Sequence, residues 1–204
     1  DTAFLVACYN GNVECIKALA EAGCDTGVTS SDGGTALMNA AMSGSAEAVR
    51  AVLELGGAEL EARNADGDTA FLVACNNGNV KCIKALAEAG CNTGAIDNVD
   101  ATALMNAAAL SGSAEAVRAV LELGGAELEA KSESGCMAFL AAIAGGDVEC
   151  IRALAQAGCD TMVTQSDGTT VQSLARKFVS KNPCGPALVS YLQDVQKSRE
   201  MKQQ

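Results

Sequence analysis

Apolar and polar positions along the chain alternate with a helical period, and the pattern recurs. "TAFLVAC" (2–8) is apolar apart from its threonine, and after "YNGN" comes "VECIKALAEAG" (13–23), where Glu14, Lys17 and Glu21 stand at i, i+3 and i+7. This spacing places the charges on one solvent stripe and predicts two opposite-charge pairs within the helix. Val13, Ile16 and Ala20 form one apolar stripe, and Cys15, Ala18, Leu19 and Ala22 form the adjacent one. A helix with two such faces packs on its own partner and on a neighbour at the same time. Thr2 predicts a helix N-cap. Asn10 and Gly11 end the first helix and Gly23 ends the second, since left-handed residues stop helices.

The first 26 residues return at 68–93, changed only at Tyr9/Asn76, Glu14/Lys81 and Asp25/Asn92, an offset of 67. A half-period lies within it: Thr2, Thr35, Thr69, Thr102, Met137 and Thr170 open similar segments 33 to 35 residues apart. Periods of this length predict a solenoid. Between segments, polar Gly-containing stretches such as "DTGVTSSDGG" predict an extended finger with a tight turn. The expected units are 1–34, 35–68, 69–101, 102–136 and 137–169, followed by a divergent cap at 170–196 with Arg176, Lys177, Lys181 and Pro186, and a polar tail at 197–204. "LELGGAELEA" carries an extra glycine, and "NAAALSG" (106–112) has one residue more than "NAAMSG" (39–44). The second insertion is expected to overwind or bulge a helix end.

Helix, turn, helix and hairpin-like finger at this period resemble the ankyrin repeat, over essentially the whole chain. The residues carrying the resemblance are Gly33, "TALMNAA" and "GGAE", and Gly67, "TAFLVAC", "NNG" and "GCN". Departures are systematic. The family's proline is replaced by Ala3, Ala36, Ala70, Ala103 and Ala138, and its histidine by Leu5, Met38, Leu72, Met105 and Leu140, so polar ties between repeats give way to apolar contact. The resemblance implies an all-α repeat solenoid of stacked helix-turn-helix units with finger loops, acting as a non-catalytic protein–protein interaction module or assembly scaffold. Alternatives are a docking region of a larger multidomain enzyme or channel, and a thiol-based redox sensor.

The resemblance also implies a concave binding face made of finger tips and the exposed side of the first helices. Carried over, it gives Ser31, Asp32 and Gly34; Ala65, Asp66 and Asp68; Asn98, Val99 and Ala101; Glu133 and Ser134; and Ser166 and Asp167. The first-helix slot holds Tyr9, Met42, Asn76, Leu110 and Ala144 in turn. Tyr9, Met42 and Leu110 have no evident core role and would anchor an apolar side chain of a partner, with the aspartates meeting its Lys or Arg. The competing reading is that Tyr9 covers a missing neighbour and the aspartates cap turns. Residues 43–62 recur unchanged at 111–130 while "VTSSDGG" (28–34) has become "AIDNVDA" (95–101). The helices are copied and the tips differ, through loop drift or through selection for a partner.

Charge narrows the partners. The net charge is −11; residues 170–204 hold six Lys or Arg and two Asp or Glu, leaving 8 basic and 23 acidic residues, a net −15, on residues 1–169. An acidic body repels phosphate, which argues against nucleic acid and against anionic membranes and favours a basic or apolar protein segment. With no histidine in the chain, histidine triads, histidine metal ligands and histidine pH switches are excluded. No phosphate loop, nucleophile–base pair or metal signature stands out, so no enzyme activity, cofactor or metal is expected. No apolar run reaches the roughly 18 residues of a membrane-spanning helix, and no signal peptide opens the chain, so an intracellular, cytoplasmic location is expected. Asp1 directly before an apolar run, without an initiator Met, suggests a processed product or an excerpt of a longer chain.

Eight of the ten cysteines fall at three slots where sister units carry alanine or isoleucine: Cys15 aligns with Ala48, Cys24 with Ala58, and Cys8 with Ala41 and Ile143. Buried packing thiols are expected, with a Cys8–Cys15 redox pair as the alternative and Cys136 exposed in a finger. Nine residues of helix separate Cys15 from Cys24 by roughly 13 Å, too far for one zinc. Phe4, Phe71 and Phe139 alternate with Leu37 and Leu104 at one slot, which is assigned to the core.

Overall fold

The computed structural model describes residues 2–124, 126–161, 163–164, 168, 170–171, 173–174 and 190–194. The expectations for Ser166, Asp167, Arg176, Lys177, Lys181, Pro186 and the tail at 197–204 lie outside the described residues.

The helical periodicity is realised as five helix pairs: α1 (Ala3–Tyr9) with α2 (Val13–Glu21), α3 (Ala36–Ser43) with α4 (Ala46–Glu54), α5 (Ala70–Asn76) with α6 (Val80–Glu88), α7 (Ala103–Asn106) with α8 (Ala114–Glu122), and α9 (Ala138–Gly145) with α10 (Val148–Gln156). First helices pack on first helices and second on second, so two rows run the length of the stack. Four of the five first helices start where a threonine hydroxyl accepts a free backbone N–H: Leu5 donates to Thr2, Met38 to Thr35, Leu72 to Thr69 and Met105 to Thr102, at 3.2 to 3.4 Å. Met137, lacking a hydroxyl, caps nothing. A cap of this kind is worth about 1 kcal/mol. Helices this short are not stable alone and depend on the packing between rows.

The slot of Phe4, Leu37, Phe71, Leu104 and Phe139 is 0 to 1 % exposed throughout, and Ile16, Ile83 and Ile151 on the second helices are 0 % exposed. Leu5, Met38, Leu72, Met105 and Leu140 are buried as well. Met38 keeps a weak polar role, because the Thr35 backbone N–H donates to its sulfur at 3.5 Å.

One expectation changes. The in-helix pairs of Glu14, Lys17 and Glu21 give way to pairs between neighbours: Lys17–Glu54 at 3.7 Å, Arg50–Glu88 at 3.4 Å, Lys84–Glu122 at 3.4 Å and Arg118–Glu149 at 3.9 Å. The second helices lie side by side, so a long cation reaches the next helix. All these groups are about half exposed or more, and each pair contributes about 0 to 1 kcal/mol. The fingers contain no strand among the described residues, only isolated bridges at Ile96–Thr102 and Thr164–Thr170.

The inserted residue in "NAAALSG" becomes a π-turn, Ala107–Ser111, that continues α7. Widening one turn holds the extra residue without shifting the second helix of the pair: Ser113 still caps α8, as Ser45 caps α4. Helix α9 packs against the widened turn, and Gly145 meets it closely, since a Cβ there would lie 3.2 Å from the Ala109 carbonyl oxygen.

Phe71→Ala removes a 0 % exposed ring between two neighbours. It should lower unfolding free energy by about 3 to 5 kcal/mol in denaturant titrations, while Tyr9→Ala, at an exposed site, should change it by about 0.5 kcal/mol or less.

Candidate functional site

Four fingers share one turn. Its first residue donates its N–H to the carbonyl four residues on: Ser30 to Gly34 at 2.9 Å, Asn64 to Asp68 at 3.1 Å, Asp97 to Ala101 at 3.2 Å and Ser132 to Cys136 at 2.9 Å. The fourth residue is left-handed: Gly33, Gly67 and Gly135, and in the third finger Asp100 at φ 58°. Aspartate tolerates that region better than most residues. The first residue's side chain also closes the loop: Asn64 Oδ1 accepts from the N–H groups of Asp66 and Asp68 at 3.0 and 2.8 Å, and Asp97 Oδ1 from those of Val99 and Ala101, both at 2.9 Å.

The tips are joined in series. Ala65 donates its N–H to the Asp32 carbonyl at 2.8 Å, Asn98 to that of Asp66 at 3.0 Å, and Glu133 to that of Val99 at 2.9 Å. The Asn98 side-chain amide donates to the Ala65 carbonyl at 2.9 Å. Gly67 makes this approach possible, since a Cβ there would sit 2.7 Å from the Asn98 backbone nitrogen.

The sequence-derived site residues therefore fall into different roles. Asp32 closes its own turn, accepting from the Ser30 hydroxyl and, at 3.4 Å, from the Gly34 N–H. These bonds, the hydroxyl first, hold its pKa below the usual carboxylate value. Asn98 ties finger to finger. Ser31, Asp66, Val99, Glu133 and Ser134 are exposed, as are Tyr9, Met42, Leu110 and Ala144 on the first helices. Tyr9 is 54 %, Val99 53 % and Leu110 68 % exposed.

Asp68 and Asn76 are brought together. The Asn76 Nδ2–H donates to Asp68 Oδ2 at 3.2 Å, yet Asp68 Oδ1 and Asn76 Oδ1 are both buried and accept nothing. Burial, and then the charges of Asp97 and Asp66, raise the Asp68 pKa. Asp97 was not among the residues read from the sequence, although its place in the D-x-x-D finger "DNVD" is the available signal. The buried amide of Asn106 also has an Nδ2 without an acceptor, where the aligned Asn39 donates to the Thr35 carbonyl. Asn106 directly precedes the π-turn.

Nine cysteines lie among the described residues, and no disulfide joins them. Cys8, Cys75, Cys82, Cys91, Cys150 and Cys159 are buried, as expected of packing groups. Burial raises Cys8 and Cys82 to about 11 and Cys150 to about 12, which suppresses thiolate chemistry at neutral pH. Cys15 and Cys24 are exposed, against expectation, because among the described residues no helix pair covers the outer face of α2. Cys136 is half-buried rather than exposed, packed against the core with its N–H donated to Ser132 Oγ at 3.1 Å.

Two clefts of about 420 and 500 Å³ lie at the finger bases. The first is lined by Phe4, Thr35, Leu55 and Arg63, the second by Ile96, Asp100, Leu104 and Lys131. Neither pairs a nucleophile with a base, and no group of three or more His, Cys, Asp or Glu among the described residues is arranged for a metal. No helix of the described residues is long and apolar enough to cross a membrane.

Native thiol labelling with mass-spectrometric readout should modify Cys15 and Cys24 rapidly and Cys8, Cys75, Cys82 and Cys150 only after denaturation. For Asp68, the fold disfavours the ionised form, so this group's contribution to stability is full below the ordinary carboxylate pKa and is lost as pH rises through the raised one. Asp68→Asn should accordingly raise the midpoint of thermal unfolding near neutral pH, with the gain vanishing below about pH 3, where the native carboxyl is already protonated.

A family model described as ankyrin repeats (3 copies) matches residues 1–64 and 55–132. No curated protein matches the chain.

Proposed function

The chain belongs to the ankyrin-repeat family, and on that premise we propose that it binds a protein partner on the face made by its finger tips and first helices. Ankyrin repeats mediate protein–protein interaction and are typically non-catalytic. The finer reading is that the partner inserts a Lys or Arg between the second and third fingers and lays apolar side chains along Met42, Val99 and Leu110.

One observation carries this reading. Asp68 and Asn76 present two buried oxygens with no donor, next to the carboxylates of Asp66 and Asp97. Buried acceptors without a donor are costly. A cation arriving there supplies the missing N–H groups and lowers the Asp68 pKa back toward its ordinary value. The exposed apolar side chains alongside supply area that a lone salt bridge lacks, since charged contacts at a rim add steering more than affinity. The net −15 of residues 1–169 draws in a basic segment from a distance. Stacked helices hold the fingers at fixed spacing, so little ordering entropy is lost on this side of the interface.

Affinity capture from the source cell, compared between the native protein and single variants, tests the reading. Asp66→Lys should weaken retention of the captured partner by about tenfold or more, as for a charge facing a desolvated cation. Glu54→Lys, on the row of second helices away from the fingers, should leave it unchanged. Equal loss from both variants would leave only a general effect of net charge.

A further inference from the structure

The two clefts at the finger bases are copies of one another. Leu37, Val52, Ala58 and Ala62 line the first, together with the exposed Glu59 and Arg63. The aligned Leu104, Val120, Ala126 and Ala130 line the second, together with the exposed Glu127 and Lys131. Their origin lies in the alternating core slot. The second and fourth units carry Leu37 and Leu104 where the third and fifth carry Phe71 and Phe139. Where the ring stands, the finger base closes on it: Cys91 and Ala95 are 7 % and 4 % exposed, Cys159 and Val163 1 % and 8 %. Where leucine stands, the aligned Ala58, Ala62, Ala126 and Ala130 are only half-buried. Gly56 and Gly57, the pair that includes the extra glycine, add bare backbone to the first cleft, and a Cβ on either would meet no atom within 4 Å. Volumes of about 420 and 500 Å³ suit a small organic molecule.

The charges at these clefts are unusual for this chain. Of the basic residues within 1–169, Lys17, Arg50, Lys84, Arg118 and Arg152 take carboxylates of the second helices. Arg63, Lys81 and Lys131 take none among the described residues, although 23 acidic groups face 8 basic ones there. Unpaired carboxylates are unavoidable at such an excess, whereas an unpaired cation is not. Two of the three unpaired cations stand at the two clefts, and the charge is kept while the residue changes from arginine to lysine. The other fingers place Thr29, Ile96 and Thr164 at that position.

We propose that each cleft binds an N-acylated apolar amino acid with a free carboxylate, a chemistry shared by the C-terminal residue of a peptide. Its apolar side chain fills the space of the absent ring above Leu37 or Leu104. Its carboxylate meets Arg63 or Lys131, and its amide N–H meets the carboxylate of Glu59 or Glu127. Burial of the side chain supplies most of the affinity, since an exposed ion pair alone contributes little, and the charges select the ligand. Asp66, Asp68 and Asn76 line neither cleft, so this binding is separate from that of the finger face.

Calorimetric titration of the full chain with N-acetyl-phenylalanine tests the proposal, and two sites per chain are expected. Arg63→Thr or Lys131→Thr should each remove one site, and the double variant should weaken all binding by about tenfold or more. N-acetyl-phenylalaninamide, which lacks the carboxylate, and N-acetyl-glycine, which lacks the ring, should bind more weakly by a similar factor. Leu37→Phe combined with Leu104→Phe, which supplies the ring of the sister units, should abolish binding with circular dichroism unchanged; should that variant misfold, the exposed positions 63 and 131 decide. A short peptide ending in phenylalanine separates the two sources: retained affinity assigns the clefts to chain termini, and lost affinity assigns them to free acylated amino acids. The proposal is overturned if N-acetyl-phenylalanine fails to bind at millimolar concentration, if the amide binds as tightly as the acid, or if the folded Arg63→Thr, Lys131→Thr variant still takes up two equivalents.

Discussion

No helix pair in this chain can bury its own apolar surface. Helices of four to nine residues are too short to persist alone, and their second helices carry two apolar faces where a single surface helix carries one. The need to put a neighbour on each side dictates the small residues at Cys82, Ala85, Ala48 and Ala116, the alternating Phe and Leu slot, and the fixed offset of the fingers. Cross-pair salt bridges and finger-to-finger hydrogen bonds are secondary. They select the register in which pairs meet, and the buried rows supply the stabilisation.

Much of this was legible. Thr2, Thr35, Thr69 and Thr102 cap because hydroxyls at helix starts act locally, and the Phe and Leu slot was visible because burial there repeats with the period. The extra residue of "NAAALSG" announced a bulge by simple alignment with "NAAMSG". What stayed hidden depends on neighbours. Cys15 and Cys82 have nearly the same local sequence and opposite exposure, so no local pattern could separate them. Lys17 has carboxylates at the right helical spacing on both sides and still pairs with Glu54, because the adjacent helix lies within its reach. The links between tips run through backbone groups, which leave no mark on composition. In the candidate site, exposure of Tyr9, Met42 and Leu110 was readable from their slot. The pairing of Asp68 with Asn76 was not, since those residues are eight apart and meet only when a finger folds back over its helix.

The finger face combines rigidity with an unmet polar requirement. Tips bonded in series cannot move independently, while Asp68 and Asn76 keep two oxygens without donors inside that rigid frame. On the proposed reading, such a surface would select a partner by its chemistry at one point and by its shape everywhere else. Aspartates that close turns, as Asp32 and Asp97 do, and aspartates free to meet a partner, as Asp66 is, look alike in sequence and differ only in which N–H groups they have already taken.

The π-turn and Gly145 have a consequence for how the array can be altered. Position 145 aligns with Asn10, Ser43 and Asn77, and only there does the chain have glycine, opposite the widened turn of the preceding helix. The fourth and fifth pairs are therefore a matched set. Exchanging one without the other would set a side chain 3.2 Å from the Ala109 carbonyl oxygen of the widened turn, so the two pairs tolerate replacement together better than singly.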